Sequence, residues 1–274
     1  MNQERVQRVA GSRLKLSCNL YSFNKPLVSG VMTLEEVFEF CAQAGFDAVD
    51  PTGYYFPKYP KLPPDDYLYQ IKRLAFVLGL DISGTGCRND FTDPDPSKRA
   101  ADIELVKSWI VCAARLGAPN LRVFAGKGVP EGHVEQEVSD WIADALVECA
   151  EHGRKHGVMI SLQNHYDFIK TPDQLLKILK KVDSEWLGVN LDIGSFRGAD
   201  PYEDVARVAP YAITWQIKEN VYLGGKEVKT DISRIIRIAQ ESGYRGYFPL
   251  ETLSDGDPRV TVPAFLNEVR KAMA

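Results

Sequence analysis

Residues 158–165 read VMISLQNH, a short apolar run that ends in polar residues. The same arrangement recurs downstream in LGVNLDIG (187–194), AITWQIK (212–218) and YFPLET (247–252). The intervals suit successive strand-helix units of a parallel sheet, in which the carboxyl ends of the strands meet at one edge. We therefore expect the polar residues that lead the four endings to be neighbours, namely Gln163, Asp192, Gln216 and Glu251.

The rest of the chain repeats this alternation of short apolar strands and longer helical segments. Dividing 274 residues into eight units gives about 34 residues per unit, which is ordinary for an eightfold barrel. Thr33 and Glu36 predict a capping box at the start of one helix, and Gly45 predicts its end. Because no Pro-, Ser- or Gly-rich linker divides the chain, we predict a single (β/α)8 TIM barrel domain over residues 1–274.

The element bounds follow from apolar periodicity and from glycine and proline breakers. The predicted strands are 14–19, 46–50, 81–85, 120–124, 158–162, 187–191, 212–215 and 247–250. The predicted helices are 34–44, 65–78, 99–116, 135–156, 172–182, 204–209, 232–242 and 262–273. This count of eight strands and eight helices favours a closed barrel over a doubly wound sheet.

Composition and charge exclude several classes of function. The chain has 33 basic and 37 acidic residues and no Lys/Arg cluster, so we expect no nucleic-acid partner. No apolar run approaches the ~20 residues that span a bilayer, so we expect no membrane association. Five scattered cysteines predict buried, reduced thiols, and the polar N-terminus lacks an apolar leader segment. A cytoplasmic protein is expected.

The four converging polar residues can be read as a metal site. Two carboxylates and two amides offer oxygen ligands, which suit a hard divalent cation such as Mg²⁺, Mn²⁺ or Ca²⁺ better than Zn²⁺. We predict that Gln163, Asp192, Gln216 and Glu251 hold such an ion. The alternative is that each is an ordinary strand-end residue that bonds to loop backbone.

Several short motifs carry a resemblance to a known family. They are AGFD (44–47), LGAP (116–119), RVFAG (122–126), HGV (156–158), NH (164–165), DIG (192–194), GYRG (243–246) and LE (250–251). Over residues 14–270 the chain resembles the sugar phosphate isomerase/epimerase family of xylose isomerase-like barrels. The resemblance implies a TIM barrel that acts on a small carbohydrate substrate.

The resemblance also implies a particular site. In that family Glu, Asp, His and Glu at the ends of strands five to eight bind one divalent metal, and the two glutamates move the proton. Asp192 and Glu251 match this pattern, whereas Gln163 stands in place of the first glutamate and Gln216 in place of the histidine. An amide can ligate Mn²⁺ or Mg²⁺ but has no useful basicity near neutral pH, so the two-glutamate proton shuttle is incomplete.

Three residues near the altered positions are candidates to complete the chemistry, namely His165, Lys218 and Glu219. His165 follows the altered glutamate position and has an ordinary pKa near ~6.5; it serves either as the substitute base or as an orienting residue. Lys218 lies two residues after Gln216, and so on the same strand face. It serves either to polarise a carbonyl or hold an anion, or as a structural ion pair with Glu219 or Asp192.

Residues elsewhere at the strand ends are candidates for contacts with the substrate. Asp50 ends strand two, Arg122 ends strand four, and Asn164 follows strand five. The loop 51–64 is rich in Pro and Tyr and either shapes a ligand pocket or packs on the surface. Its Tyr54-Tyr55-Phe56 run either caps the pocket or joins the chain into a homo-oligomer.

Three functions remain open at this stage. The first is a metal-assisted isomerase or epimerase in which Glu251 is both base and metal ligand and His165 or Lys218 completes proton transfer. The second is a lyase or hydrolase of 3-keto-glycosides, which needs one base and a stabilised enolate. The third is a sugar-binding barrel without catalysis. The sequence does not specify the sugar or its phosphorylation.

Overall fold

The computed structural model describes residues 14–274, which form a barrel of parallel strands surrounded by helices. In chain order the strands of this region are β1 Lys15–Asn19, β2 Ala48–Asp50, β3 Asp81–Ile82, β4 Thr85–Gly86, β5 Asn120–Val123, β6 Met159–Gln163, β7 Leu187–Asp192, β8 Ala212–Lys218, β9 Asn220–Leu223, β10 Lys226–Lys229 and β11 Tyr247–Glu251. All but β9 and β10 belong to one sheet of order β3-β2-β1-β11-β8-β7-β6-β5-β4. The predicted TIM barrel is confirmed.

The third strand of the barrel is divided, so the sheet has nine strands where eight are predicted. The segment over 81–85 splits into β3, which pairs with β2, and β4, which pairs with β5. An isolated parallel bridge between Thr52 and Gly86 joins the two sides. The barrel is therefore nearly closed, and the break lies opposite the strands that end in the four polar residues.

The helices cover the outside of the barrel. In chain order the α-helices of residues 14–274 are α1 Asn24–Val28, α2 Leu34–Ala44, α3 Asp65–Val77, α4 Pro96–Leu116, α5 Glu135–His156, α6 Pro172–Val182, α7 Pro201–Val208, α8 Ile232–Glu241 and α9 Pro258–Met273. The bounds of α2, α5 and α6 are as predicted, and the capping box of Thr33 and Glu36 is present.

Three helices begin three or four residues before their predicted starts, and all three begin at an Asp-Pro pair. The carboxylates of Asp95, Asp200 and Asp257 accept hydrogen bonds from the backbone N–H two residues on, at 2.8, 2.8 and 2.9 Å. The proline that follows each aspartate occupies the first helical turn, where its missing N–H costs nothing. These N-caps set the true starts of α4, α7 and α9.

The hairpin of β9 and β10 is absent from the predicted elements. Its turn is Gly224-Gly225, and both residues have positive φ, 56° and 77°. Two glycines between runs of alternating residues are a strong hairpin signal, because a tight turn of this hand needs left-handed backbone. The hairpin follows β8 directly and so stands at the carboxyl end of the barrel.

Apolar side chains fill the barrel and the layer between strands and helices. Trp109, Trp215, Phe38 and Phe248 are among the largest fully buried side chains. All five cysteines are buried, as predicted, and none of them pairs in a disulfide within residues 14–274. In the described part of the chain, no helix is both long and apolar enough to cross a membrane. Residues 1–13 lie outside the described residues, so a single domain over 1–274 stays a prediction.

Candidate active site

Strand register brings the four predicted residues together at the carboxyl end of the barrel. Gln163 of β6 lies beside Asn190 of β7, and Asp192 of β7 lies beside Gln216 of β8. Lys218 of β8 lies beside Glu251 of β11. Because alternate strand residues share a face, Gln216 and Lys218 both point into the barrel.

The Asp192 carboxylate accepts hydrogen bonds at both oxygens. Its Oδ2 accepts from Gln163 Nε2 at 2.8 Å and from Ser195 Oγ at 2.8 Å, and it lies 3.0 Å from Lys218 Nζ. Its Oδ1 accepts from the backbone N–H of Gly194 at 3.0 Å. Asp192 is fully buried. With four donors in place, this carboxylate anchors its neighbours and is not a free base.

Glu251 is held at one oxygen only. Its Oε2 accepts from Gln216 Nε2 and lies 3.2 Å from Lys218 Nζ. Asn190 Nδ2 donates to Gln216 Oε1 at 3.3 Å, which fixes the orientation of that amide with its nitrogen toward Glu251. Within residues 14–274, Glu251 Oε1 has no hydrogen-bond donor. This oxygen is therefore able to accept a hydrogen bond or a proton.

Lys218 lies between the two carboxylates, and its side chain is 15% exposed. Burial alone would lower the pKa of its ammonium, but Asp192 and Glu251 outweigh burial and raise the pKa above the ordinary 10.5. Gly194 makes room for the stem of the lysine, because a Cβ there would come within 2.8 Å of Lys218 Cδ. We call Asp192, Lys218 and Glu251 the lysine cluster.

The lysine cluster does not fit a divalent metal. One oxygen of each carboxylate is paired with the Lys218 ammonium, which lies between Asp192 and Glu251 where the ion would lie. The Gln163 and Gln216 amides turn their N–H groups, not their oxygens, toward these carboxylates. Across residues 14–274, no three His, Cys, Asp or Glu side chains are grouped as metal ligands. The predicted ion therefore stays a prediction, and no step below passes through it.

His165 lies at the mouth beside the lysine cluster but forms no hydrogen bond or ion pair with it. Its Nδ1 is 2.9 Å from Asp167 Oδ2, and its ring stacks on Tyr166 and meets the edge of Phe124. Burial lowers the pKa of His165 below 6.5, although Asp192 and Asp167 oppose this change. The imidazole is therefore neutral at pH 7 and can accept a proton.

Asn164 joins the ends of β6 and β7. Its Nδ2 donates to Asp192 O and its Oδ1 accepts from Asp192 N, both at 2.8 Å. The side chain is fully buried. Both polar atoms are engaged with backbone, so the geometry supports a positioning role, and substrate binding by Asn164 stays a prediction.

A second charged group lies across the barrel, formed by Asp50, Arg122 and Tyr54; we call it the arginine cluster. Arg122 donates to Tyr54 OH at 2.9 Å and to Cys87 O at 2.7 Å. Burial raises the pKa of Asp50 to about 6, with Arg122 opposing the rise and Glu251 adding to it. A Cβ on Gly86 would lie 2.8 Å from the guanidinium, so only glycine leaves room for it.

Arg197 connects the loops above the barrel and is absent from the predicted site. Its guanidinium lies 3.8 Å from the Tyr222 ring of the hairpin and 4.8 Å from the Tyr166 ring. Its Nη1 donates to Gly194 O at 2.9 Å. One side chain thus contacts the loops after β6 and β7 and the hairpin together.

Other residues of the site also escaped the sequence analysis. Asn190 could have been found, because it precedes Asp192 by two residues and so shares its strand face. Tyr54 was assigned only to a loop of either pocket or surface character. Ser195 gives no signal, since a serine in a turn is common. Glu219, a predicted partner of Lys218, instead accepts from the backbone of Leu253 and Ser254.

Comparison with known proteins gives a family and a set of related folds. A sequence family described as "Xylose isomerase-like TIM barrel" matches residues 38–270. No curated protein matches the sequence.

Three solved structures show the extent of the likeness in fold. D-psicose 3-epimerase from Clostridium cellulolyticum, solved with D-tagatose, has a TM-score of 0.77 at 15% identity over 95% of this chain and 99% of that one. The 3-keto-D-glucoside 4-epimerase of E. coli has a TM-score of 0.76 at 14% identity, over 94% of this chain and 100% of that one. A xylose isomerase-like TIM barrel protein from Mycobacterium smegmatis in complex with magnesium has a TM-score of 0.72 at 20% identity, over 97% of this chain and 100% of that one. At these identities the likeness shows the fold alone.

Proposed function

Because the chain belongs to the xylose isomerase-like TIM barrel family, we propose that it is a sugar isomerase or epimerase. The proposed reaction is proton transfer next to the carbonyl of a small sugar or sugar derivative. The epimerases of similar fold act on such compounds, as their names state. The family match over residues 38–270 confirms the family that the sequence motifs indicated.

The observation that carries the proposal is the state of Glu251. This carboxylate is almost fully buried at the barrel end, is fixed through Oε2 by Gln216 and Lys218, and keeps Oε1 free of donors in the described chain. A base held in one orientation, with one oxygen open, is what abstraction of a carbon-bound proton requires.

The proposed step is balanced without any change in oxidation state. Glu251 Oε1 takes the proton from the carbon beside the carbonyl, the C–H electron pair forms the new C=C bond, and the carbonyl π pair moves to oxygen. Return of a proton to the opposite face of the same carbon gives epimerisation. Return to the neighbouring carbon gives isomerisation, in which the hydroxyl proton of the first carbon also moves to the former carbonyl oxygen and leaves a new carbonyl at the first carbon. His165 at the mouth is the proposed second group; it takes a proton from solvent and, as imidazolium, gives it to the opposite face of the carbon.

The test is proton exchange with solvent. The protein is incubated in deuterium oxide with a panel of ketoses and 3-keto-glycosides, and the products are read by NMR. We expect deuterium at the carbon next to the carbonyl, and we expect Glu251→Gln to slow exchange by about 10²-fold or more. The control is Glu148→Gln, which removes an exposed carboxylate on the outer face of α5.

Two results would count against the proposal. Release of the aglycone from a 3-keto-glycoside without label in recovered ketone would indicate the lyase reaction. Binding of a sugar without exchange at any carbon, in a folded protein, would indicate the non-catalytic barrel.

A further inference from the structure

Two carboxylates that converge in a buried site need a positive charge between them. Asp192 is fully buried and Glu251 nearly so, and both are bonded to Lys218. Without a cation their mutual repulsion and desolvation would drive one of them to take up a proton. In this chain the Lys218 side chain supplies that positive charge.

Two further donors near the carboxylates also direct partial positive charge at them. Gln163 and Gln216 direct amide N–H groups at Asp192 and Glu251, respectively. A metal at this point would have to displace the ammonium, and it would meet the positive ends of two amide dipoles. These are the two positions at which glutamine departs from the family's metal-ligand pattern. The amides and the lysine therefore act together as one set of donors.

We propose that the Lys218 ammonium takes the place of the divalent cation, so that the protein works without a metal. The catalytic part of this inference rests on the proposed function, whereas the metal-free site does not. An ammonium carries three N–H donors, and two of them serve Asp192 and Glu251. The third is not used by these two carboxylates. It donates to the carbonyl oxygen of the sugar.

Lys218 supplies charge stabilisation in the proton-transfer step. As Glu251 removes the proton, negative charge grows on the carbonyl oxygen, and the fixed ammonium stabilises it through the third N–H. No electron leaves or enters the substrate, and the ammonium keeps its own proton. Asp192, with all its donors in place, holds the ammonium in position and is a positioning residue.

The first test is metal content and needs no variant. Protein purified without chelator is analysed for metals and then titrated with Mn²⁺, with free ion followed by electron paramagnetic resonance and stability by thermal unfolding. We expect far less than one ion per chain, no loss of free Mn²⁺ signal and no rise in melting temperature. One tightly bound ion per wild-type chain would overturn the inference.

The second test creates the metal site that the lysine precludes. In Lys218→Met the ammonium is gone and the Gln163 and Gln216 amides are free to turn their oxygens inward. We expect this variant to bind Mn²⁺ and to gain thermal stability with it, whereas Lys218→Arg, which keeps a cation, does not. Failure of a folded Lys218→Met to bind Mn²⁺ would contradict the proposed equivalence of lysine and metal.

Activity separates this inference from the proposed function. We expect exchange by the wild type to resist chelator, and Lys218→Met in chelator to lose about 10²- to 10³-fold, as for removal of an oxyanion donor. Exchange that chelator abolishes and Mn²⁺ restores would overturn the inference while leaving the proposed function intact. A metal-free wild type, with Mn²⁺ binding in Lys218→Met but no exchange on any sugar, would overturn the function alone.

Discussion

The two charged clusters of the barrel mouth differ in how their charges are paired. In the lysine cluster one ammonium lies within 3.2 Å of both carboxylates, and every partner is fixed by strand register. In the arginine cluster the Arg122 guanidinium bonds to a hydroxyl and a carbonyl, not to the Asp50 carboxylate. The charges of the lysine cluster are paired with one another. In the arginine cluster the guanidinium is bonded only to neutral oxygens.

This difference in charge pairing favours different roles for the two clusters. A compensated cluster is rigid and can hold a base and a cation at fixed positions for chemistry. A cluster with an uncompensated carboxylate and a guanidinium favours a polar ligand, because a sugar hydroxyl can bond to both. We therefore propose that Asp50 and Arg122 orient the substrate, that Glu251 removes the proton, and that Lys218 stabilises the developing charge.

The largest expected effect comes from breaking the lysine cluster. Lys218→Met leaves two buried carboxylates without a cation, and loss of one partner of a buried ion pair costs about 3–5 kcal/mol of unfolding free energy. Urea denaturation in chelator measures the loss. The matched control is Lys107→Met, since Lys107 also bridges two carboxylates, Glu104 and Glu148, but on the exposed face. A comparable loss in both variants would show that burial of the cluster is not what matters.

A pH-dependent effect is expected from the arginine cluster. The folded-state pKa of Asp50, about 6, exceeds its ordinary 3.8, so the folded protein binds this proton more tightly than the unfolded chain does. Stability that depends on this proton is present below pH 4 and is lost as pH rises through 6. Asp50→Asn should therefore stabilise the protein by up to about 3 kcal/mol at pH 8 and by almost nothing at pH 4.

Denaturation of wild type and Asp50→Asn across that range measures the difference. A pH-independent difference would mean that Asp50 is not the group that titrates. The corresponding variant of the lysine cluster, Asp192→Asn, should destabilise at every pH, since it removes a partner of the buried ammonium.

The smallest effect sharpens the assignment of substrate contacts. Tyr54→Phe removes the hydroxyl that Arg122 donates to, and Tyr55→Phe removes one that donates to Asn24 Oδ1 at 2.9 Å. Each should lower stability by about 1 kcal/mol. Only Tyr54→Phe should raise the KM for the sugar, by about fivefold, or ~1 kcal/mol. An equal change in KM for both would place the substrate away from Arg122.

The sequence predicted the positions of the site better than its contacts. Spacing placed Gln163, Asp192, Gln216 and Glu251 together because parallel strands end at one edge, and alternation placed Lys218 on the face of Gln216. It did not predict that the glutamine nitrogens, rather than their oxygens, face the carboxylates. That choice depends on partners such as Asn190 on neighbouring strands, which only the folded register brings into reach.

The same limit applies to the secondary structure. Helices with a local start signal, such as the capping box of Thr33, were predicted to the residue. The Asp-Pro pairs that begin at 95, 200 and 257 are equally local signals, yet the predicted helices begin three or four residues after their prolines. The split between β3 and β4 could not be found locally, because it depends on pairing with β2 on one side and β5 on the other.

The position of Arg197 has a consequence for how the mouth can open. Its guanidinium lies against Tyr222 and Tyr166, and it is bonded to Gly194 O beside the Asp192 turn. Neither the hairpin nor the loop after β6 can lift away without giving up a ring contact with the same side chain. The three loops thus share the contacts of one side chain, so displacement of any one of them is expected to disturb the other two.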